Sequence, residues 1–215
     1  MSFGLTKDPS NQVNNTVYAL ELLSEFGDKS YINTILSWTS QIVWLDFDEV
    51  SGNTKLTSST FPSLPHTTFV TDKAFIHIPP LAVIDSISAY FLAENIFHEA
   101  LHQKLSASLL FDDLVDPEFD SRVSFRISVP WRGQSWEPDR IVHAAFVYMH
   151  LLKLRQDALD ADLPYRDHIK SAWDTGREAL RYLVSRFPDC DKVFTVRGKR
   201  LLQDIAEIAA SRIIV

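Results

Sequence analysis

"LAVIDSISAYFLAENIFHEALHQKLSASLL", residues 81–110, decides the architecture of this chain. The stretch follows Pro79-Pro80, contains neither Gly nor Pro, and carries Val83, Ile87, Tyr90, Phe91, Ile96, Leu101 and Leu105. That pattern predicts one long helix from Leu81 to about Leu110, with "FHEALH", residues 97–102, in its second half. His98 and His102 are four residues apart, so a helix returns them to within about 40° of each other and about 6 Å along its axis. Two imidazoles so placed reach one ion.

Working outward, Val17, Leu20, Leu23 and Phe26 predict a short amphipathic helix over residues 15–26 that stops at Gly27. A second helix follows through Ile32, Ile35 and Leu36. β-Branched and aromatic residues in "SQIVWLDFDEV" and "TTFVTDKAFIHIP" then read as two or three strands, with Gly52-Asn53 as a turn. Beyond the long helix, an acidic loop, "FDDLVDPEFD", leads into "SRVSFRISVPW", whose Val123, Phe125, Ile127 and Val129 alternate as in a half-buried strand. After Pro138, "DRIVHAAFVYMHLLKLRQDAL" reads as another helix, with Asp139 placed to cap it. Two more helices are expected, at about Arg166 to Arg186 and Gly198 to Ile213, separated by "FPDCDKVFT". The expected class is α+β, predominantly helical with a small β-sheet, in one catalytic domain over residues 1–215.

Composition narrows the function. A net charge of -7 argues against a broad basic face for nucleic acid. The single Cys190 makes no internal disulfide, which fits a cytoplasmic protein and excludes a Cys-rich zinc site. No apolar run approaches the roughly 18 residues that span a bilayer, and the polar start lacks the order of a secretory signal, so no membrane association is expected.

The motif stands above chance, because with 7 His in this composition roughly 0.01 occurrences of His-Glu-x-x-His are expected. Two histidines alone make a weak site, so a third protein ligand is needed. The metzincin extension requires Gly and His where this chain has Leu105 and Ser108. Glu118, in the acidic loop, and the distant Glu178 have no persuasive context for a gluzincin. Of the other histidines, His143 in "RIVHAAFVY" lies in a helix whose Ala144 and Ala145 permit close packing, and it is the expected third ligand. His150, seven residues on, falls on nearly the same helix face; it reads first as a core or surface histidine and second as a residue behind the metal ligands.

The combination of "FHEALH", "SVPWR" at residues 128–132 and "IVHAAFVYMHLL" at residues 141–152 resembles the HExxH-motif peptide-modification family. Its characterised members are iron(II)- and 2-oxoglutarate-dependent peptide β-hydroxylases of RiPP biosynthesis, which makes natural products from ribosomal peptides. The resemblance covers roughly the middle third of the chain. Here Val129 separates Ser128 from Pro130, and residues 133–142 lack an Arg-Pro pair, two departures from the family's pattern.

The resemblance implies Fe(II) held by His98, His102 and His143, with O2 and 2-oxoglutarate as co-substrates and a precursor peptide as substrate. It implies Arg132 as the cation for the far carboxylate of 2-oxoglutarate, since guanidinium binds carboxylate in two-pronged fashion. Arg126 and Arg140 are reserves, and Trp131 stands beside the site. The metal site would lie on helices, outside the double-stranded β-helix that most such oxygenases use.

Glu99 separates the alternatives. In a zinc metallopeptidase it would be the general base that activates a metal-bound water. In the hydroxylase it would orient a ligand, bind a substrate group or adjust the charge of the site. A third reading is a partner protein that binds peptides, with an inactive motif or a structural metal.

Overall fold

The computed structural model describes residues 4–5, 9–25, 28–46, 56–79, 82–84, 87–111, 114–120 and 126–213. The strands are β1 (Gly4–Leu5), β2 (Gln41–Asp46), β3 (Ser58–Thr60), β4 (Thr67–Val70), β5 (His77–Ile78), β6 (Ala82–Val83), β7 (Ile127–Val129) and β8 (Gln134–Trp136). The helices are α1 (Pro9–Glu25), α2 (Ser30–Trp38), α3 (Ala89–Phe111), α4 (Pro138–Asp160), α5 (Arg166–Ser185), α6 (Phe187–Cys190) and α7 (Val196–Ile213). The protein is thus α+β and predominantly helical, and its small sheets do not close into a barrel among the described residues. No helix is long and apolar enough to cross a membrane among the described residues.

Two compact units divide the chain. The first comprises Met1–Lys104 with Asp157–Ala172. Its sheet has the order β1-β2-β4-β3, with β2 and β4 parallel and the other two pairings antiparallel. Apolar burial holds it together: Phe91, Leu92, Ile96, Phe97 and Leu101 of α3 are fully or almost fully buried, each worth about 1.5–3 kcal/mol. The Tyr31 ring meets Phe97 edge-on at 5.3 Å, and Trp44 stacks on Phe75 at 5.8 Å. Polar ties fasten α1, through Trp44 Nε1 donating to Thr16 Oγ1 at 3.2 Å and Gln12 Nε2 to Asp72 Oδ1 at 2.9 Å.

The second unit comprises Leu105–Gln156 with Trp173–Val215. The β7–β8 ribbon turns through the short 3-10 helix Pro130–Arg132 and Gly133, whose φ of 59° is the left-handed conformation that glycine adopts without strain. Helix α7 is capped by Thr195 Oγ1, which accepts the Gly198 amide at 3.2 Å. Gly198 itself permits a close approach, because a Cβ there would overlap the Leu114 carbonyl oxygen.

Several elements differ from the sequence expectation. Helix α3 starts at Ala89 rather than Leu81: Ala82–Val83 pairs instead with β5, and Ser88 Oγ caps the helix by accepting the Tyr90 amide at 3.2 Å. Helix α1 begins at Pro9, and Val17, expected on its apolar face, is 48% exposed while Gln12, Ala19 and Leu23 are buried. Asp139 sits inside the first turn of α4 rather than at its cap, because Pro138 is already helical and the Ile141 amide bonds to the Glu137 carbonyl. The segment "FPDCDKVFT" folds partly as the one-turn helix α6. Arg126 precedes β7 rather than lying within it. Gly52-Asn53, Val123 and Phe125 lie outside the described residues.

Candidate functional site

Helix α3 carries four buried polar residues, Glu94, Asn95, Glu99 and Gln103, in an otherwise apolar stretch. Burying such groups unpaired would cost about 1–3 kcal/mol each, and each of them finds a partner. Glu94 Oε2 accepts the Tyr90 hydroxyl at 3.0 Å. The Asn95 amide shares its two N–H groups among the carbonyls of Phe91, His77 and Ala74, at 2.8, 2.9 and 3.2 Å. Asn95, Glu99 and Gln103 recur every four residues and therefore form one stripe. Strand β3 supplies the partners of its lower half: Ser58 Oγ donates to Glu99 Oε1 at 2.7 Å, and Gln103 Nε2 donates to Thr60 Oγ1.

His98 and His102 lie beside this stripe, half-buried, their rings 4.7 Å apart and edge-on. Their Nε2 atoms are 3.1 Å apart. With metal–nitrogen bonds of about 2.1 Å, donors at that separation can both reach a shared ion. The two nitrogens are therefore close enough to bind one ion together. The same separation accommodates a hydrogen bond between a protonated and an unprotonated Nε2. Within the first unit, no third His, Cys, Asp or Glu among the described residues joins the pair.

Glu99 is almost fully buried, and burial pushes its carboxyl up to about 7, against the opposing pull of the Ser58 hydrogen bond. A carboxyl in that range can take or give a proton near neutrality.

The remaining expected residues belong to the second unit. His143, on α4, is half-buried, and burial lowers its pKa below the ordinary imidazole value while the Asp139 carboxylate one turn earlier pulls the other way. The neutral imidazole so favoured is the form that binds metals. His150 packs edge-on against Phe146 at 4.7 Å. Trp131 meets Tyr182 edge-on at 5.5 Å, and the Tyr182 hydroxyl donates to the Ser128 carbonyl at 2.6 Å.

The three arginines differ in what already holds them. Arg126 pairs with Glu137 at 2.5 Å, and Arg140 lies over the Trp136 ring at 4.7 Å. Arg132 is exposed and has no acidic partner among the described residues. Its charge, with that of Arg155, acts on Tyr148, whose phenol burial nonetheless pushes up to about 12. Arg126 also lines a cavity of about 490 Å³ with Ile127, Arg186, Pro188, Asp189 and Lys192, three cations against one carboxylate.

Ser58, Thr60, Asn95, Gln103 and the fully buried Arg155 are absent from the sequence-based site. The signal for the α3 members was their four-residue spacing inside an apolar helix. Nothing local marks Ser58 or Thr60, about 40 residues upstream of their partners. No family model and no curated protein matches this chain.

Proposed function

We propose that this chain is a non-haem iron(II)- and 2-oxoglutarate-dependent dioxygenase that hydroxylates a side-chain β-carbon of a ribosomally made precursor peptide in the cytoplasm. The observation that carries the metal is the 3.1 Å separation of His98 and His102 Nε2, which lets both reach one ion. The choice of reaction rests on the resemblance in "FHEALH", "SVPWR" and "IVHAAFVYMHLL". Iron(II) held there would supply the activation of O2, with 2-oxoglutarate consumed as co-substrate to succinate and carbon dioxide.

The residues of the chain have simpler tasks. His98 and His102 offer two Nε2 atoms 3.1 Å apart from one helix. His143 enters as third ligand through the resemblance alone. Arg132, without an acidic partner among the described residues, is the cation assigned to the far carboxylate of 2-oxoglutarate. Ser58 holds Glu99, leaving Glu99 Oε2 to meet a ligand or a substrate group.

The second reading, a zinc metallopeptidase with Glu99 as general base, draws on the burial of that carboxyl beside the histidine pair. Anaerobic loading with iron(II), followed by optical titration with 2-oxoglutarate, separates the two. The hydroxylase is expected to give a weak visible charge-transfer band that saturates. Absence of the band, with tight zinc retention and peptide cleavage, would establish the peptidase instead.

A further inference from the structure

Strand β3 is the outermost strand of its sheet, with β4 on one side and no strand on the other among the described residues. Antiparallel ladders alternate bonded residue pairs with pairs whose N–H and C=O groups point away from the partner. The Thr71 amide donates to the Thr57 carbonyl at 3.0 Å, and the register runs Ser58↔Val70, Ser59↔Phe69, Thr60↔Thr68. Thr57/Thr71 and Ser59/Phe69 are therefore the bonded pairs, and Ser58 and Thr60 turn their N–H and C=O groups to the outer edge. Their side chains go to α3, Ser58 to Glu99 and Thr60 to Gln103. Among the described residues, one short strand thus offers an open backbone edge and holds the glutamate next to His98.

An apolar platform adjoins it. Phe61 and Leu64, just beyond the strand, are each 48% exposed, and the Phe61 ring rests on Phe69 at 5.6 Å. Alternating main-chain bonds beside a place for an apolar side chain are the elements of recognition by strand addition.

We propose that the outer edge of β3 is the docking rail for an extended peptide, its backbone paired with Ser58 and Thr60 and an apolar side chain seated on Phe61 and Leu64. This rests on the peptide-modifying reading above and deepens it, because it says how the peptide is led past the histidine pair. The size of the edge selects the occupant. Two outward residues give at most about four main-chain bonds, each worth about 0.5–1.5 kcal/mol. A second copy of the chain paired along three residues would bury far less than the roughly 1,200 Å² of a stable interface. A flexible peptide adds the apolar seat and the groups of α3 to those bonds.

The test is amide hydrogen exchange on the full chain, alone and with peptides selected from an array of random nonapeptides, followed by single N-methylation along each selected peptide. In the free chain the Ser58 and Thr60 amides are expected to exchange fast and the Ser59 amide slowly. Bound peptide should slow Ser58 and Thr60, and N-methylation at alternate positions should weaken binding about tenfold or more, with the positions between tolerated. Slow Ser58 and Thr60 amides in the free chain, protection that appears with protein concentration alone, or N-methylation tolerated at every position would each overturn the proposal. Alternating sensitivity without the visible band upholds the rail and removes the hydroxylase reading. The band together with indifference to N-methylation removes the rail alone.

Discussion

Helices α3 and α4 are each 23 residues long, and both are buried along much of their length, yet they spend that burial differently. Helix α4 buries Ile141, Val142, Ala145, Leu151, Leu152 and Leu154, with Arg155 as its one fully buried charge among the described residues. Helix α3 buries Glu94, Asn95, Glu99 and Gln103 among its apolar residues. Apolar packing on α4 stabilises the fold directly, at about 25 cal/mol per Å². The polar stripe of α3 yields at best the small net gain of satisfied hydrogen bonds, so stability alone does not explain it. The difference is that α3 gives part of its burial to paired polar groups, whereas α4 is chiefly a core helix that carries His143.

The largest expected effect breaks that contrast at α3. His98→Ala and His102→Ala should each lower metal affinity by more than the 10–100-fold typical of outer partners, and abolish turnover, with the thermal midpoint of the metal-free chain little changed. Calorimetric metal titration of the variants checks this. His143→Ala belongs to the same experiment, and full retention of metal affinity would remove it from the ligand set. On α4 the pattern should reverse. Leu151→Ala removes a fully buried side chain and is expected to cost about 2–5 kcal/mol in urea unfolding while leaving metal affinity per folded molecule unchanged.

The contrast was only half legible in the sequence. Periodicity places α2, α4, α5 and α7 along the chain, although on α2 only Ile35 of the expected apolar residues is buried and Leu36 is 66% exposed. It misplaces the start of α3, since Val83 and Ile87 suit a helix as well as a strand and the choice is made by pairing with β5. On α1 it finds Leu23 but misses the edge of the buried face, where Val17 is exposed and Gln12 is buried in a bond to Asp72, 60 residues away. The proximity of His98 and His102 follows from helix geometry alone. The partners of Glu99 and Gln103 do not, because Ser58 and Thr60 reach them through a sheet whose order no local rule predicts.

A smaller effect sharpens the picture of the second unit. The Tyr148 phenol and the buried Cys190 thiol are both pushed up to about 12, chiefly by burial, so the fold favours their neutral forms. Their contribution to stability is fully present below about pH 9 and is lost as pH rises toward 12, since the unfolded chain ionises first. The urea midpoint should therefore fall between pH 8 and pH 10.5. An unchanged midpoint would mean that neither group is shielded in the folded chain.

The smallest effect bears on which arginine receives the co-substrate. Arg126 is more than half exposed and already paired with Glu137, so Arg126→Ala should cost no more than about 1 kcal/mol of stability, the range of surface ion pairs. It should also leave 2-oxoglutarate affinity nearly unchanged, because a guanidinium held by one carboxylate must give it up to take another. Arg132 has no such competitor among the described residues, and Arg132→Ala should weaken 2-oxoglutarate by roughly 10-fold or more, the value of a charge-assisted pair. Titrating both variants through the same visible band compares them directly. If Arg126→Ala were the more damaging, the far carboxylate would belong instead in the 490 Å³ cavity, among Arg126, Arg186 and Lys192.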